Sequence, residues 1–147
     1  MSFDDLDDVC RIENDTFTDA WPRSVFEDDI KSEMTYCPVA RNASGELVGY
    51  ACLMLFADEA HLTNIATSPQ QRGNGIGTQM MDHLIEKAKA TGCHAMFLDV
   101  RASNSAAISL YNKYRFSELY RRKLYYRNPP EDAVVMVLPL GERNSDG

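Results

Sequence analysis

Residues 65–91, IATSPQQRGNGIGTQMMDHLIEKAKAT, admit few structural readings. Ile65, Ala66 and Thr67 end an apolar, strand-like run, and Ser68-Pro69 stops it. A glycine-rich bend follows, Arg72-Gly73-Asn74-Gly75-Ile76-Gly77-Thr78. Then Ile76, Met80, Leu84 and Ala88 recur every four residues, widened by Met81 and Ile85. That spacing predicts a helix with one buried face. Gly92 stands where such a helix closes in a left-handed turn. The stretch reads strand, loop, helix.

The glycines gain meaning from the helix behind them. The first turn of a helix carries N–H groups without internal partners, at the positive end of its dipole. A bend lacking Cβ atoms lets an anion approach those groups, and phosphate or pyrophosphate suits them. A tight turn without a ligand remains the plain alternative for the glycines alone. Two other glycine motifs fail. A P-loop ends in Gly-Lys-Ser/Thr, whereas Gly77 precedes Thr78 with no lysine. A dinucleotide fingerprint needs a third glycine where Thr78 stands.

Arg72-x-x-Gly75-x-Gly77 after a strand resembles the pyrophosphate loop of the GCN5-related N-acetyltransferase (GNAT) superfamily. The resemblance extends through residues 58–66 (DEAHLTNIA), 98–104 (LDVRASN) and 106–111 (AAISLY), then Tyr125-Tyr126 with Glu131-Asp132-Ala133. These segments look like the RimI-type branch, the bacterial ribosomal-protein alanine N-acetyltransferases. The likeness covers most of residues 9–138. It implies a GNAT fold of the α+β (α/β) class: a mixed, mostly antiparallel central sheet with helices on both faces. It also implies acetyl-CoA as co-substrate, with Ile65, Ala66, Thr67, Arg72, Gly73, Asn74, Gly75, Ile76, Gly77, Thr78 and Asn104 as its binding residues.

The chain has 147 residues, the size of one domain, which we expect to span residues 1–140 with a disordered tail at 141–147. A net charge of −7 argues against nucleic acid as a partner and suits a cationic peptide. The four cysteines, at 10, 37, 52 and 93, are far apart in apolar surroundings, so buried free thiols are expected rather than disulfides or zinc. No metal is expected. The acidic start MSFDDLDD does not read as a signal peptide, and the longest apolar run, residues 47–56, is too short for a bilayer. A cytoplasmic protein, monomeric or weakly dimeric and without membrane attachment, is the expectation.

Along the chain, Leu6, Val9, Ile12 and Phe17 predict a first helix, and Val25, Phe26 and Ile30 a second. Enzymes of the resembled type have a short strand before the first helix. Met1-Ser2-Phe3 leaves no room for it here, so the first edge strand is expected to be missing. Residues 35–41, 47–56 and 60–67 read as an antiparallel meander. Residues 95–101 read as a strand parallel to its predecessor, since a helix crosses between them. A helix at 104–114, capped by Ser103, precedes a hairpin of 118–126 and 132–138. Arg115 occupies a position where the resembled family has glycine, so it should cost about 1 kcal/mol in a left-handed conformation there, or end the helix differently.

Acetyl transfer to an amine must remove a proton, stabilise an oxyanion and hold a departing thiolate. Asp99 is the candidate base. Aspartate is disfavoured inside the strand-like MFLDV, and sharing a face with Phe97 should give it an apolar environment. The resembled enzymes have glutamate there as proton acceptor. The shorter aspartate favours a bridging water, and an ordinary ion pair is the alternative. His61 is a fallback base. Tyr111 is the candidate acid, the role the resemblance gives it. Asn104 either binds the pantetheine arm, as the resemblance implies, or caps a helix. The oxyanion donors are expected among the backbone amides of residues 65–67, beside a bulge that the family carries. Trp21 either anchors its loop or, by resemblance, forms a wall of the acceptor groove. Tyr125 is expected to line that groove and Glu131 to receive a basic substrate residue, while Arg121-Arg122-Lys123 reads as a solvated edge. These expectations converge on an N-terminal protein acetyltransferase acting on a ribosomal protein that begins with alanine. A lysine or small-amine acetyltransferase of the same fold, or a non-catalytic acyl-CoA-binding module, stands beside it.

Overall fold

The computed structural model describes residues 1–141. The expected tail lies almost wholly outside the described residues. A 3-10 turn, Phe3–Asp5, leads into α1 (Leu6–Thr16) and α2 (Arg23–Lys31). The meander follows as β1 (Thr35–Tyr36), β2 (Val39–Arg41), β3 (Leu47–Phe56) and β4 (Glu59–Thr67). Then come α3 (Ile76–Thr91), β5 (Ala95–Arg101), α4 (Ser105–Lys113), β6 (Ser117–Arg127) and β7 (Pro130–Pro139). The expected strand at 35–41 is broken into β1 and β2 at Cys37-Pro38, because proline has no N–H for the ladder.

The sheet has seven strands in the order β1-β3-β4-β5-β7-β6, with β2 continuing the β1 edge against β3. Only β4 and β5 are parallel, and every other pair is antiparallel. This is the mixed, mostly antiparallel sheet expected. Among the described residues no strand precedes α1.

Strand alternation sorts β3 between two cores. Ala51 and Leu53 join Met80, Met81, Leu84 and Ala88 of α3, with Tyr111 of α4. Tyr50 and Cys52 join Leu6, Val9 and Ile12 of α1 and Phe26 of α2. Each fully buried aliphatic side chain contributes about 2 kcal/mol. Gly49 lets α3 lie close on the sheet: a Cβ there would stand 3.1 Å from Ala66 O and 3.1 Å from Met80 Sδ. Gly92 closes α3 at φ 94°. Arg115 takes φ 74°, the left-handed one of the two conformations considered for it.

Two local expectations change. The cap of α4 is Asn104, whose Oδ1 accepts from Ala107 N at 3.1 Å, not Ser103. The Ser103 N–H instead donates to Glu131 Oε2 at 2.6 Å. All four cysteines are free, but only Cys52 and Cys93 are buried; Cys10 and Cys37 are partly exposed. No described helix is long and apolar enough to cross a membrane.

Candidate active site

The site begins where β4 and β5 part. They pair only from Glu59 to Leu62 against Ala95 to Leu98. At that point β4 changes register against β3: Cys52 faces Asn64 and Leu53 faces Leu62, leaving Thr63 as an extra residue. Thr63 Oγ1 donates to Cys52 O at 3.1 Å and pins the bulge. The bulge therefore precedes residues 65–67 and sets their direction. Ser68 N donates to Val48 O at 2.8 Å. Alternation along the pair then turns the Asn64 and Ala66 N–H groups toward β3. Those of Ile65 and Thr67 face the gap that β5 has left.

The gap opens a cavity of about 410 Å³ that passes between β4 and β5. Leu98, Val100 and Tyr111 belong to the α3–α4 core, so alternation places Asp99 on the opposite face of β5. Both Asp99 and Tyr111 line the cavity. Asp99 does not have the apolar environment expected. The core beneath α1 and α2 is built on β3 and β4, so this face of β5 stays open and Asp99 is exposed. Arg122 Nε lies 4.0 Å from its Oδ1, the long limit of an ion pair. Tyr111 is buried edge-on against Phe116, ring centroids 5.7 Å apart. Burial pushes its phenol up to about 12.

A second hollow of about 400 Å³ adjoins the first. Thr67, Arg72, Gly77 and Leu110 line both. Its other walls are Gln71, Gly73, Gly75, Ile76 and Thr78. Gly73 has φ 88° and Gly75 φ 77°, a conformation L side chains rarely adopt, and a Cβ on either would meet nothing within 4 Å. The bend is therefore open, and the first N–H groups of α3 face it without helical partners. Those features fit a pyrophosphate. Asn74 departs from expectation. Its Nδ2 donates to Gln71 Oε1 at 3.1 Å within the loop, and it does not line the hollow. Gln71, on a short 3-10 turn, takes that place. Asn104 lines the main cavity; capping occupies its Oδ1 and leaves its Nδ2 for a guest.

At the far end Trp21 is placed as a loop anchor that also faces the cavity. It lines the cavity and packs on Phe26, ring centroids 5.3 Å apart. Its backbone N donates to Glu13 Oε2 at 2.9 Å. Glu13, which sequence reasoning missed, is 1% exposed, yet it lines the cavity. Its Oε1 accepts from the Tyr50 hydroxyl at 2.5 Å and from Asn64 Nδ2 at 2.8 Å. Burial, then Glu13 itself, pushes the Tyr50 phenol up. One turn on, Thr16 Oγ1 also lines the cavity and is the one buried side-chain polar atom without a partner among the described residues. A glutamate at a position spaced with Ile12 and Val9 was the available signal, since a helix stripe rarely buries a charge.

Two expected acceptor residues lie elsewhere. Tyr126, not Tyr125, lines the cavity. β6 changes register between Arg122 and Tyr126, with Leu124 at φ 49° and its N–H held by Asp132 Oδ1 at 2.9 Å. That bulge resets the alternation and leaves Tyr125 50% exposed. Glu131 is already engaged. Its Oε1 accepts from Arg101 Nη1 at 3.2 Å and its Oε2 from the Ser103 N–H. Hydrogen bonds from Ser103, then the Arg101 guanidinium, hold its carboxyl below the usual range. Arg101 also donates to Asp19 Oδ2 at 2.8 Å and Pro129 O at 2.9 Å, and lies 4.3 Å over the Tyr126 ring. Thr18 Oγ1 donates to Asn128 O at 2.7 Å. Together these bonds join the α1–α2 loop to the tip of the β6–β7 hairpin. His61 stacks on Phe97 at 5.2 Å, bonds to Glu59 at 3.1 Å and does not line the cavity, so it is no base here.

Comparison with known proteins agrees with this geometry. The ribosomal protein bS18-alanine N-acetyltransferase of Escherichia coli (strain K12) is 33% identical over 138 residues, 92% of this chain and 92% of its own. A crystal structure of the ribosomal-protein-S18-alanine N-acetyltransferase from Escherichia coli superposes with a TM-score of 0.91 at 30% identity, covering 100% of this chain and 95% of the other. Ard1 from Thermoplasma volcanium follows with a TM-score of 0.87 at 25% identity, covering 97% and 95%. The family model for the acetyltransferase (GNAT) family matches residues 6–116. A glycine bend with bare amides, a sheet split between its two parallel strands and these relatives agree, and the chain belongs to the acetyltransferase (GNAT) family.

Proposed function

We propose that this chain transfers the acetyl group of acetyl-CoA to the α-amine of a protein N-terminus, with the N-terminal alanine of a small-subunit ribosomal protein as acceptor. The observation that carries the reading is the split between β4 and β5, with two free amides on one wall and Asp99 and Tyr111 on its two sides. The names of the full-length relatives supply the acceptor.

The bend from Gly73 to Thr78 holds the diphosphate of the co-substrate by its N–H groups, and Arg72 adds a positive charge. Asn104 Nδ2 donates to the pantetheine arm. The Ile65 and Thr67 amides receive the acetyl oxygen, where negative charge develops during attack. An α-amine titrates near about 8, so a mild base suffices. Asp99 takes the proton through a bridging water. The Tyr111 hydroxyl donates a hydrogen bond to the departing sulfur. Burial raises the phenol and disfavours its ionisation, so Tyr111 holds the thiolate by a hydrogen bond. The thiolate takes its final proton from solvent. Trp21 and Tyr126 form the acceptor walls.

The test is mass spectrometry of an alanine-initiated ribosomal peptide incubated with protein and acetyl-CoA. One acetyl on the α-amine is expected, and none on a copy with a blocked N-terminus and free lysines. Acetylation of the blocked copy would instead assign a lysine enzyme. Coenzyme A binding without turnover on any amine would assign a binding module.

A further inference from the structure

Behind the acceptor wall, in the α1–α2 core, three potential ligands converge from three segments. Asp29 lies on the last turn of α2, Cys52 in the middle of β3, and Cys37 at the break between β1 and β2. Their ligand atoms all lie within 4.8 Å of one another. The register explains why. Tyr36 faces Leu53 and Val39 faces Tyr50, so Cys37 stands opposite Cys52. Leu55 N donates to Met34 O at 2.7 Å and Ala51 N to Pro38 O at 3.1 Å. The alternation makes Cys37 and Cys52 a non-hydrogen-bonded pair, the closer of the two kinds, with both side chains on one face. That face is the one α2 covers. Asp29 is one turn before Ser32 and beside Ile30, which packs into the same core.

We propose that Asp29, Cys37 and Cys52 form a binding site for one thiophilic divalent cation of the Zn²⁺ type, with water as the fourth ligand. The donor set is two sulfurs and one carboxylate oxygen, which suits a tetrahedral d¹⁰ ion and not Mg²⁺ or Ca²⁺. Tetrahedral bonds of about 2.0–2.3 Å set ligand atoms roughly 3.4–3.8 Å apart, so side chains whose ligand atoms already lie within 4.8 Å of one another need only small rotamer shifts to close on an ion. Cys52 is buried while Asp29 and Cys37 are half-exposed, so the site has a closed floor and an entry path. Ile30 and Phe26 bring no charge. The Met1 ammonium, which donates to Cys37 O at 2.7 Å, is the one cation beside the ligands among the described residues, and the two thiolates and the carboxylate outweigh it. Binding displaces two thiol protons to solvent, forms two thiolate–metal bonds and one carboxylate–metal bond, and changes no oxidation state. The ion would tie α2 to β3 behind Phe26, the ring on which Trp21 rests.

The test is titration of the reduced, chelator-treated full chain with Cd²⁺ and then Zn²⁺ alone. Expected are one equivalent of Cd²⁺ bound with an ultraviolet thiolate-to-metal absorption band, displacement of that band by Zn²⁺, proton release, and a rise in Tm. Cys37→Ser should abolish the band, and Asp29→Asn should weaken binding at least about tenfold. Cys93→Ser, on the other face of the sheet, should retain one equivalent. Because Cys52 is buried, Cys37→Ser and Asp29→Asn carry the test if Cys52→Ser fails to fold. No saturable binding to the wild-type chain would overturn the proposal. So would a band that survives Cys37→Ser, or air oxidation to a Cys37–Cys52 disulfide by a reduced protein that takes up no Cd²⁺.

Discussion

Asp99 and Tyr111 stand on opposite faces of the sheet and share a cavity only because β4 leaves β5 after Leu62. In the proposed reaction the amine arrives from the α1–α2 side and the thioester lies on the α3–α4 side, and this passage is where they meet. Replacing Asp99 with alanine removes the proposed proton acceptor from one side of that passage and leaves the glycine bend intact. The kcat should fall about 100-fold, with the coenzyme A Kd unchanged by calorimetry. An unchanged kcat would move the base to another residue.

Tyr111→Phe probes the other side. The rate should drop while the pH–rate profile keeps its shape below about pH 10, since a phenol near 12 does not titrate there. Stability adds a second readout. The Tyr111 pKa is raised in the folded state above the ordinary value of about 10, so its stabilisation is complete below pH 10 and is lost as pH climbs toward 12. The wild type should lose on the order of 2–3 kcal/mol more than Tyr111→Phe across that window, measured by urea unfolding.

Gly75→Val should separate binding from chemistry in the reverse sense. At φ 77° a β-branched residue is strained, and the bend must move or cover its amides. Coenzyme A affinity should fall more than about tenfold. Calorimetry showing an unaltered Kd would remove the diphosphate from this bend.

Arg101 connects the two loops that frame the acceptor. Arg101→Ala should raise the peptide KM on the order of tenfold, about 1.4 kcal/mol, with the coenzyme A Kd unchanged. Its partner makes the link pH-sensitive. The Glu131 carboxyl is held below its usual range, so its stabilisation is present above the unfolded value and is lost as pH falls through the folded one. The Tm drop between pH 5 and pH 3 should shrink in Glu131→Gln.

Arg115→Gly relieves a left-handed arginine at φ 74°. It should stabilise the chain by about 1 kcal/mol and raise Tm by roughly 3 °C in a calorimetric scan, without effect on kcat.

The strand–bend–helix at 65–91, the buried stripe of α3 and the order of elements were legible in the sequence, because each follows from local periodicity and turn residues; whether Arg115 would turn left-handed was not. Asp99, Tyr111 and Trp21 were also legible as cavity residues. The remainder was decided between elements. Only the extra residue at Thr63 turned the Ile65 and Thr67 amides into the gap, and only the bulge in β6 exchanged Tyr125 for Tyr126. Arg101 took Glu131 away from any substrate because a hairpin tip came to rest beside β5. Glu13, Tyr50 and Asn64 came together from three elements, and Asp29, Cys37 and Cys52 from a helix, a strand and the break between two others. A one-residue change of register inverts every side chain beyond it, and a sequence shows no register. Chain periodicity therefore determines which face of each element is buried, while pairing between distant segments decides which polar groups meet.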